Sequence, residues 1–385
     1  MKFDFDKVVD RRGEGSLKWD TGAADVLPMW VADMDFPTVP AVTEALEKRA
    51  AHGIFGYGKI MEGYYASAQA WLERRHHWKP ELEAFTHCPG IVAGLHFVTR
   101  AFLKPGEKVL MQAPVYYPFF QAADRNHIEA SSNMLLYKNG RYEIDFEDFE
   151  TRAADPAVKV FFLCNPHNPG GRIWTAKELK RLGTICLKHG VMVVSDEIHS
   201  DLTLYGHTHV PFASICPEFA NHSITFLAPS KTFNLAGLQA SVVIAKNPEI
   251  RDRFIKEVTA AGISRPNVFA LVGLEAAYRN GDEWLDQLKT YLEGNIAYFM
   301  ERMKEVPGIR VMRPEAGYLI WFDFSGLRVD PRLFHQKLIN AGKVWLDEGY
   351  LFGISGEGFE RINVACPRSV MEEGTNRLIK TIKNM

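Results

Sequence analysis

Four polar segments of this 385-residue sequence each follow a short apolar run. They are PVYYPF (114–119), NPHNPGG (165–171), SDEIHSD (195–201) and PSKTFN (229–234). Lys231 comes directly after one of these runs, and a lysine desolvated at such a place has a lowered pKa and can attack a carbonyl as the free amine. Asp196 follows another run, where a carboxylate can pair with a buried cation. The sequence therefore offers a nucleophilic amine and a charge partner.

Each of these two residues also has an ordinary explanation. A lysine near a strand end is most often solvated, and an aspartate after VVS is also typical of a helix N-cap. Together they favour a pyridoxal phosphate site, because that cofactor needs a lysine for its Schiff base and an acidic partner for its pyridinium nitrogen. The carboxylate keeps that nitrogen protonated, so that the ring accepts electrons.

A metal site is the competing interpretation. His199, His207 and His209 lie within eleven residues of one another, and two imidazoles at i and i+2 would share one face of a strand. No cysteine or carboxylate completes a usual ligand spacing. The segment therefore indicates a polar turn, and we expect no metal.

The apolar runs predict the elements that position these side chains. They are β-branched, bounded by polar residues and cover 108–113, 158–163, 191–195, 224–228 and 241–245. Such runs suit strands buried on both faces. Between the second and third, Leu179, Leu182 and Cys186 recur at helical spacing, and Gly190 supplies a stop. The order predicts an α/β fold with a mostly parallel central sheet and helices on both faces, with ligands beyond the carboxyl ends of the strands.

The length and the C-terminal pattern predict more than one unit. A chain of 385 residues exceeds the roughly 250–300 residues at which a single core stops growing. The last hundred residues contain a long helical stretch from about 282 to 305, a hairpin-like IRVMRPEAGYLIWFDF and the strand-like RINVACP. We expect an N-terminal segment (1–45) packing with the small domain, a large domain (46–284) and a small α+β domain (285–385).

The composition excludes several classes of protein. Lys and Arg number 45 against 47 Asp and Glu, and 46% of residues are hydrophobic, so neither a nucleic-acid nor an anionic-membrane binder is indicated. Five widely spaced cysteines without a CxxC pair favour a reducing compartment. The N-terminus has no signal-like apolar region and no run reaches about 18 apolar residues. We expect a soluble, cytoplasmic protein.

The ordered motifs NPHNPGG, SDEIH, SKTFNLAG and RINVACPR resemble those of the class I/II aminotransferase family of fold-type I pyridoxal-phosphate enzymes. WVADMDF (30–36), DEIH and APSKTF resemble its branch of cystathionine β-lyases and cysteine-S-conjugate β-lyases, the MalY/PatB type. The resemblance spans about residues 30–368. It implies the fold-type I architecture and bound pyridoxal 5'-phosphate.

The resemblance also implies roles for individual residues around the cofactor ring. Lys231 matches the Schiff-base lysine and Asp196 the partner of the ring nitrogen. His199 stands where aminotransferases have a tyrosine near the phenolic oxygen, and Asn168 matches the asparagine bound to that oxygen and near the substrate carboxylate. Tyr116 matches the aromatic residue that stacks on the ring, although core packing beside Tyr117 is an alternative.

For the phosphate, the segment PGIVAGL (89–95) resembles the family's glycine-containing turn that opens a helix. Backbone N–H groups of Val92 and Ala93 would face the phosphate, and Ser230 would add a hydroxyl. Many aminotransferases have an arginine eight residues after the lysine, but this chain has Gln239. The phosphate therefore has less positive charge around it than usual.

Arg361 in RINVACPR matches the arginine that clamps the substrate α-carboxylate bidentately, and Arg368 is a fallback. Tyr57 in FGYG matches a tyrosine that reaches the neighbouring subunit's site, and a loop anchor is the alternative. The resemblance thus implies a homodimer with shared active sites.

The activity implied is a pyridoxal-phosphate-dependent carbon–sulfur β-lyase that cleaves cystathionine or related cysteine S-conjugates to a thiol, pyruvate and ammonia. Lys231 would take the Cα proton as general base, with Tyr57 also assigned to the reaction. A class I/II aminotransferase is the nearer alternative, and a regulatory protein that retains the fold is the more distant one. Which thiol is expelled stays open.

Overall fold

The computed structural model describes residues 3–385. Its strands are β1 (Leu27–Pro28), β2 (Phe85–Thr86), β3 (Lys108–Ala113), β4 (Glu129–Met134), β5 (Leu136–Lys138), β6 (Arg141–Glu143), β7 (Val158–Cys164), β8 (Met192–Asp196), β9 (Ser223–Leu227), β10 (Val242–Ile244), β11 (Arg310–Val311), β12 (Leu319–Asp323), β13 (Val344–Trp345), β14 (Asp347–Glu348) and β15 (Phe359–Asn363). Its helices are α1 (Pro40–Ala51), α2 (Glu62–His76), α3 (Ile91–Phe102), α4 (Pro118–Asp124), α5 (Phe146–Ala153), α6 (Ala176–His189), α7 (Pro217–Asn221), α8 (Pro229–Thr232), α9 (Pro248–Ala260), α10 (Val268–Asn280), α11 (Asp282–Met303), α12 (Pro331–Asn340) and α13 (Arg368–Lys383).

A seven-stranded sheet with the order β2-β10-β9-β8-β7-β3-β4 forms the centre of the larger part. The strands from β9 to β4 all pair in parallel, which confirms the mostly parallel α/β architecture. The strand β10 is antiparallel to both of its neighbours. The chain between β9 and β10 holds only α8 and a 3₁₀ turn, which is too little for the crossover that a parallel pair requires. The apolar run predicted this strand but not its direction.

Helices cover both faces of this sheet because alternate side chains of each strand point to opposite faces. Val109 and Met111 pack with Ile91 of α3 on one face, whereas Leu110 packs with Leu179 of α6 on the other. The strands are therefore buried on both faces, as their nearly continuous apolar runs predict.

The helix α6 ends at the stop that the sequence predicts, and a capping box marks its start. Thr175 and Glu178 form a capping box at the N-terminus, and Gly190 adopts the left-handed conformation at the C-terminus with φ of +68°. A capping box satisfies two N–H groups that have no partner within the helix. Local side-chain chemistry thus sets the length of the crossover between β7 and β8.

The smaller sheet has the order β11-β12-β15-β14. The strands β14 and β15 are antiparallel, with Asp347 opposite Arg361 and Glu348 opposite Glu360. The N-terminal segment meets this region where β1 pairs in parallel with β13. The domain bounds 1–45, 46–284 and 285–385 stay predictions, and residues 1 and 2 of the first range lie outside the described residues.

Within residues 3–385 the structure has neither a helix suited to cross a membrane nor a disulfide bond. Between residues 3 and 385, no helix combines the length and the apolar character needed to cross a bilayer. All five cysteines are free thiols in this part of the chain, at Cys88, Cys164, Cys186, Cys216 and Cys366. The core is therefore held by packing and hydrogen bonds rather than by disulfides.

Candidate active site

Polar residues from separate strand ends meet at the carboxyl edge of the large sheet. They line a cavity of about 140 Å³ together with the first turn of α3. The cavity residues include Tyr116 after β3, Asn168 after β7, Asp196 at the end of β8 and Lys231 in α8 after β9. Carboxyl ends of parallel strands meet at one edge, which explains how residues 115 positions apart in sequence become neighbours.

The amine of Lys231 lies inside this cavity. Pro229 stands in the first turn of α8, so that the chain turns directly from β9 into the short helix that carries the lysine. Nζ donates a hydrogen bond to the carbonyl oxygen of Ala32 at 2.7 Å. Burial, with the charge of Arg361 adding to it, lowers the pKa of Lys231 to about 8. A substantial fraction of this amine is therefore neutral and nucleophilic near pH 8.

Asp196 lines the same cavity as Lys231 and is buried. Few groups of the protein stabilise its negative charge. Its Oδ1 accepts a hydrogen bond from the backbone N–H of Ile198 at 3.1 Å, and the described part of the chain gives it no ion pair within 4.0 Å. Burial, with the charge of Glu197 adding to it, raises the pKa of Asp196 to about 7. A buried carboxylate without a cation is costly. The position therefore suits a ligand that brings positive charge.

His199 lies three residues further along the same loop and is also buried. Its Nδ1 has no hydrogen-bond partner among residues 3–385. Burial and the positive charges of Lys231 and Arg361 lower the pKa of His199 to about 3. The side chain is a neutral imidazole with a free polar atom, which is available to a bound molecule.

The start of α3 lines the cavity through Gly90, Ile91 and Val92. Gly90 precedes α3 with φ of +153°, a conformation that L side chains rarely adopt, and Val92 and Ala93 lie in the first turn. N–H groups in a first turn have no partner within the helix and attract anions. Ser230 and Gln239 line the same cavity, and Lys231 is the only cationic residue among its lining residues.

Arg361 lies on β15 of the small sheet and contacts Asn168, a residue that lines the cavity. Its Nη1 donates to Oδ1 of Asn168 at 3.2 Å and its Nη2 to the carbonyl oxygen of Trp30 at 3.0 Å. Arg368 lies elsewhere, at the start of α13, with its guanidinium 5.0 Å from the ring centre of Tyr298. Of the two arginines considered from the sequence, Arg361 is the one beside the cavity.

The segment 30–36 forms one wall of the site through its backbone, which the sequence reasoning missed. The carbonyl oxygen of Ala32 accepts hydrogen bonds from Lys231 and from the hydroxyl of Tyr318 at 3.0 Å. Nδ2 of Asn363 donates to the carbonyl oxygens of Val31 and Asp33 at 2.6 Å. Tyr318 and Asn363 lie in apolar runs that predict core strands, so no sequence signal distinguished them.

Tyr57 lies away from the cavity within its own chain. Its side chain is 98% exposed, and the guanidinium of Arg265 lies 5.8 Å from its ring centre. The described chain therefore does not bring Tyr57 together with Lys231.

The histidines of the metal interpretation lie in different surroundings. Nε2 of His209 lies 2.9 Å from Oε2 of the buried Glu197, whereas His207 is exposed. Within residues 3–385, no group of three or more His, Cys, Asp or Glu side chains has the arrangement to hold a metal ion.

Fold and site together define an α/β enzyme with an amine, a carboxylate and an arginine around one pocket. The model of the family of class I and II aminotransferases matches residues 24–378. The chain belongs to this family, which confirms the resemblance seen in the motifs.

Individual relatives match over nearly the whole chain. The chain is 46% identical to the cystathionine β-lyase PatB of Bacillus subtilis (strain 168), over 97% of this chain and 98% of that protein. It is 34% identical to the protein MalY of Escherichia coli (strain K12), over 99% of both. The crystal structure of cystalysin from Treponema denticola, which contains pyridoxal 5'-phosphate, covers all of both chains with a TM-score of 0.97 and 37% identity.

The environment of Asp196 predicts that this residue lowers the stability of the ligand-free protein. Its folded pKa is about 7, above the ordinary value of 3.8, so the folded state gives up its proton less readily and stability is lost as the pH rises through 7. We expect Asp196→Asn to raise the free energy of unfolding at pH 8 by about 1–3 kcal/mol, and by less at pH 5. Urea unfolding of cofactor-stripped protein measures this.

Asp201 provides the matched control in the same loop. Its carboxylate accepts hydrogen bonds from Trp71, His76 and Thr232 at 2.7–2.8 Å. Asp201→Asn should therefore lower the free energy of unfolding by about 1–3 kcal/mol. If both substitutions lowered the free energy of unfolding equally at pH 8, the carboxylate of Asp196 would be as well stabilised by the protein as that of Asp201.

Proposed function

We propose that this protein is a pyridoxal-phosphate-dependent carbon–sulfur β-lyase of the cystathionine β-lyase type. It cleaves cystathionine or related cysteine S-conjugates to a thiol, pyruvate and ammonia. The observation that carries the proposal is the pairing of a half-buried lysine of lowered pKa with a buried, poorly compensated aspartate in one cavity. Near-complete coverage by cystathionine β-lyase and cystalysin relatives supports it.

The residues of the cavity fit pyridoxal phosphate. Lys231 is the covalent attachment point, and Asp196 supplies the negative charge that keeps the pyridine nitrogen protonated. Tyr116 would lie against the ring, while Asn168 and His199 would bind its phenolic oxygen. Val92 and Ala93, through backbone N–H groups, and the hydroxyl of Ser230 hold the phosphate. When bound, the cofactor withdraws electrons from Cα of the amino acid, which makes the Cα–H bond acidic and lets a thiolate depart from Cβ.

The chain's own groups direct this chemistry. Once free of the cofactor, the amine of Lys231 removes the Cα proton, and its lowered pKa keeps the amine neutral enough to act as a base. Arg361 binds the α-carboxylate through the buried Nε of its guanidinium, which has no hydrogen-bond partner among residues 3–385. Holding the carboxylate fixes which bond at Cα is broken.

We also propose that the working unit is a homodimer with shared active sites. The segment around Tyr57 exposes apolar side chains, with Ile54 67%, Phe55 59% and Met61 63% exposed. Contiguous exposed apolar residues are typical of an interface. Gln239 beside the cavity is exposed as well, so a second copy over this surface would close the pocket and bring Tyr57 to the partner's substrate.

Borohydride trapping tests the assignment of Lys231. After reduction of the cofactor-loaded protein, peptide mapping should find the label on Lys231, and Lys231→Ala should lose at least about 10³-fold in activity. Lys289 is the matched control because burial also lowers its pKa, while its amine bonds Thr203 outside the cavity. Lys289→Ala should keep label and activity; a label elsewhere would refute the assignment.

A product assay separates elimination from amino transfer. Incubation with cystathionine and no added 2-oxo acid should release pyruvate, ammonia and homocysteine in equal amounts, with one water consumed. Lactate dehydrogenase and NADH measure the pyruvate, and Lys231→Ala is the blank. An enzyme that produces no pyruvate and exchanges amino groups only when a 2-oxo acid is present would be an aminotransferase.

Subunit mixing tests the shared site. If Tyr57 and Lys231 of one working site belong to different chains, a mixed dimer of Lys231→Ala and Tyr57→Phe has one site with both lesions and one with neither. Provided that Tyr57→Phe alone is strongly impaired, activity should recover toward about a quarter of the wild-type value after subunit exchange. No recovery after verified exchange would mean that Tyr57 acts within its own chain.

A further inference from the structure

The guanidinium of Arg361 is buried and already holds several partners. Arg361 is 2% exposed, and its guanidinium donates hydrogen bonds to Asn168 and to the backbone of Trp30. It also forms an ion pair with the carboxylate of Asp347. The ring of Phe352 lies 5.0 Å below it. These contacts use Nη1 and Nη2, so that Nε is left for a ligand.

Asp347 is the only acidic partner of this guanidinium among the described residues. It lies on β14 directly opposite Arg361 on β15 and is 2% exposed. Directly opposed residues of antiparallel strands have neighbouring side chains on the same face. The sheet register therefore delivers the carboxylate to one end of the guanidinium.

A second ionic contact, at the next residue pair, stabilises the register of β14 and β15. Glu348 and Glu360 also oppose each other across β14 and β15, and His335 of α12 lies 3.0 Å from Glu348 and 3.1 Å from Glu360. The two carboxylates outweigh burial and raise the pKa of His335 to about 9, so the imidazolium bridges both strands at neutral pH. A slip of one residue would turn Asp347 to the other face of the sheet.

We propose that Asp347 is the positioning residue for Arg361: its carboxylate, set by the β14–β15 register, orients the guanidinium so that the Nε edge meets the substrate carboxylate. This inference rests on the proposed function, in which Arg361 binds that carboxylate. A guanidinium aims its Nε–H at a ligand carboxylate in one direction only when its plane is fixed. Asp347 acts through the location of its side-chain oxygen beside Nη2 rather than through its charge alone.

Two substitutions separate location from charge. Asp347→Asn keeps an acceptor oxygen in place and removes the charge, whereas Asp347→Glu keeps the charge and moves it by one methylene. We expect Asp347→Asn to change the dissociation constant of propionate less than about threefold, and Asp347→Glu to raise it about tenfold or more. Propionate carries the carboxylate without a reactive amine, and ligand-detected NMR titration of the holoenzyme measures its binding independently of turnover.

Kinetics with cystathionine give the second readout. Asp347→Glu should raise KM in proportion to the propionate constant and change kcat less, because the lesion affects carboxylate binding. The matched control is Asp323, which is buried and paired with Arg310 at 2.7 Å in the same sheet. Asp323→Glu should leave propionate binding and KM unchanged even where it lowers the melting temperature.

The outcomes distinguish the positioning role of Asp347 from the proposed binding of the substrate carboxylate by Arg361. Arg361→Gln should weaken propionate binding, while propionamide should bind wild type and variants equally. If Arg361→Gln has no effect, the carboxylate site itself is wrong and the inference falls with it. If Arg361→Gln weakens binding but Asp347→Glu does not, or if Asp347→Asn weakens it as much as Asp347→Glu, the positioning role is wrong and the carboxylate site stands.

Discussion

The burial of two ionisable groups in one pocket, with few protein partners for either, is the constraint on which this site depends. Lys231 has the carbonyl oxygen of Ala32 and Asp196 has the N–H of Ile198 as hydrogen-bond partners. Water would stabilise both charges better, so burial moves their pKa values toward neutrality. The protein thereby has an amine that reacts near physiological pH and a carboxylate that can pair with a cationic ligand. Without that ligand the folded state is less stable.

The rest of the chain holds these groups in place. The parallel strands bring Asp196 and Lys231 to one edge, and Asp201 ties Thr232, next to the lysine, to α2 through Trp71. The backbone of segment 30–36 joins the two sheets, since its carbonyl oxygens accept from Lys231 on one side and from Asn363 on the other. Large sheet, small sheet and N-terminal segment thus meet at a single pocket.

Much of this was predictable because the relevant signals are local. Apolar runs gave the central strands, helical spacing and Gly190 gave α6 and its C-terminal end, and polar residues after the strands gave most of the cavity. The direction of β10 was not predictable, since a short apolar run specifies burial and not orientation. The role of Asp347 was also hidden, because a charged pair across antiparallel strands depends on register, which no single segment encodes. The role of a backbone carbonyl oxygen, such as that of Ala32, cannot be predicted from the type of its residue.

The rate at which pyridoxal phosphate attaches to cofactor-free protein, followed from pH 7 to 10.5, tests the central claim most directly. Only the neutral amine attacks the aldehyde, so a lysine with the lowered pKa of about 8 should give a rate that rises with pH and levels off above pH 8–9. A rate that keeps rising about tenfold per pH unit to pH 10 would belong to an ordinary lysine of pKa about 10.4. That result would contradict the account of how burial activates Lys231.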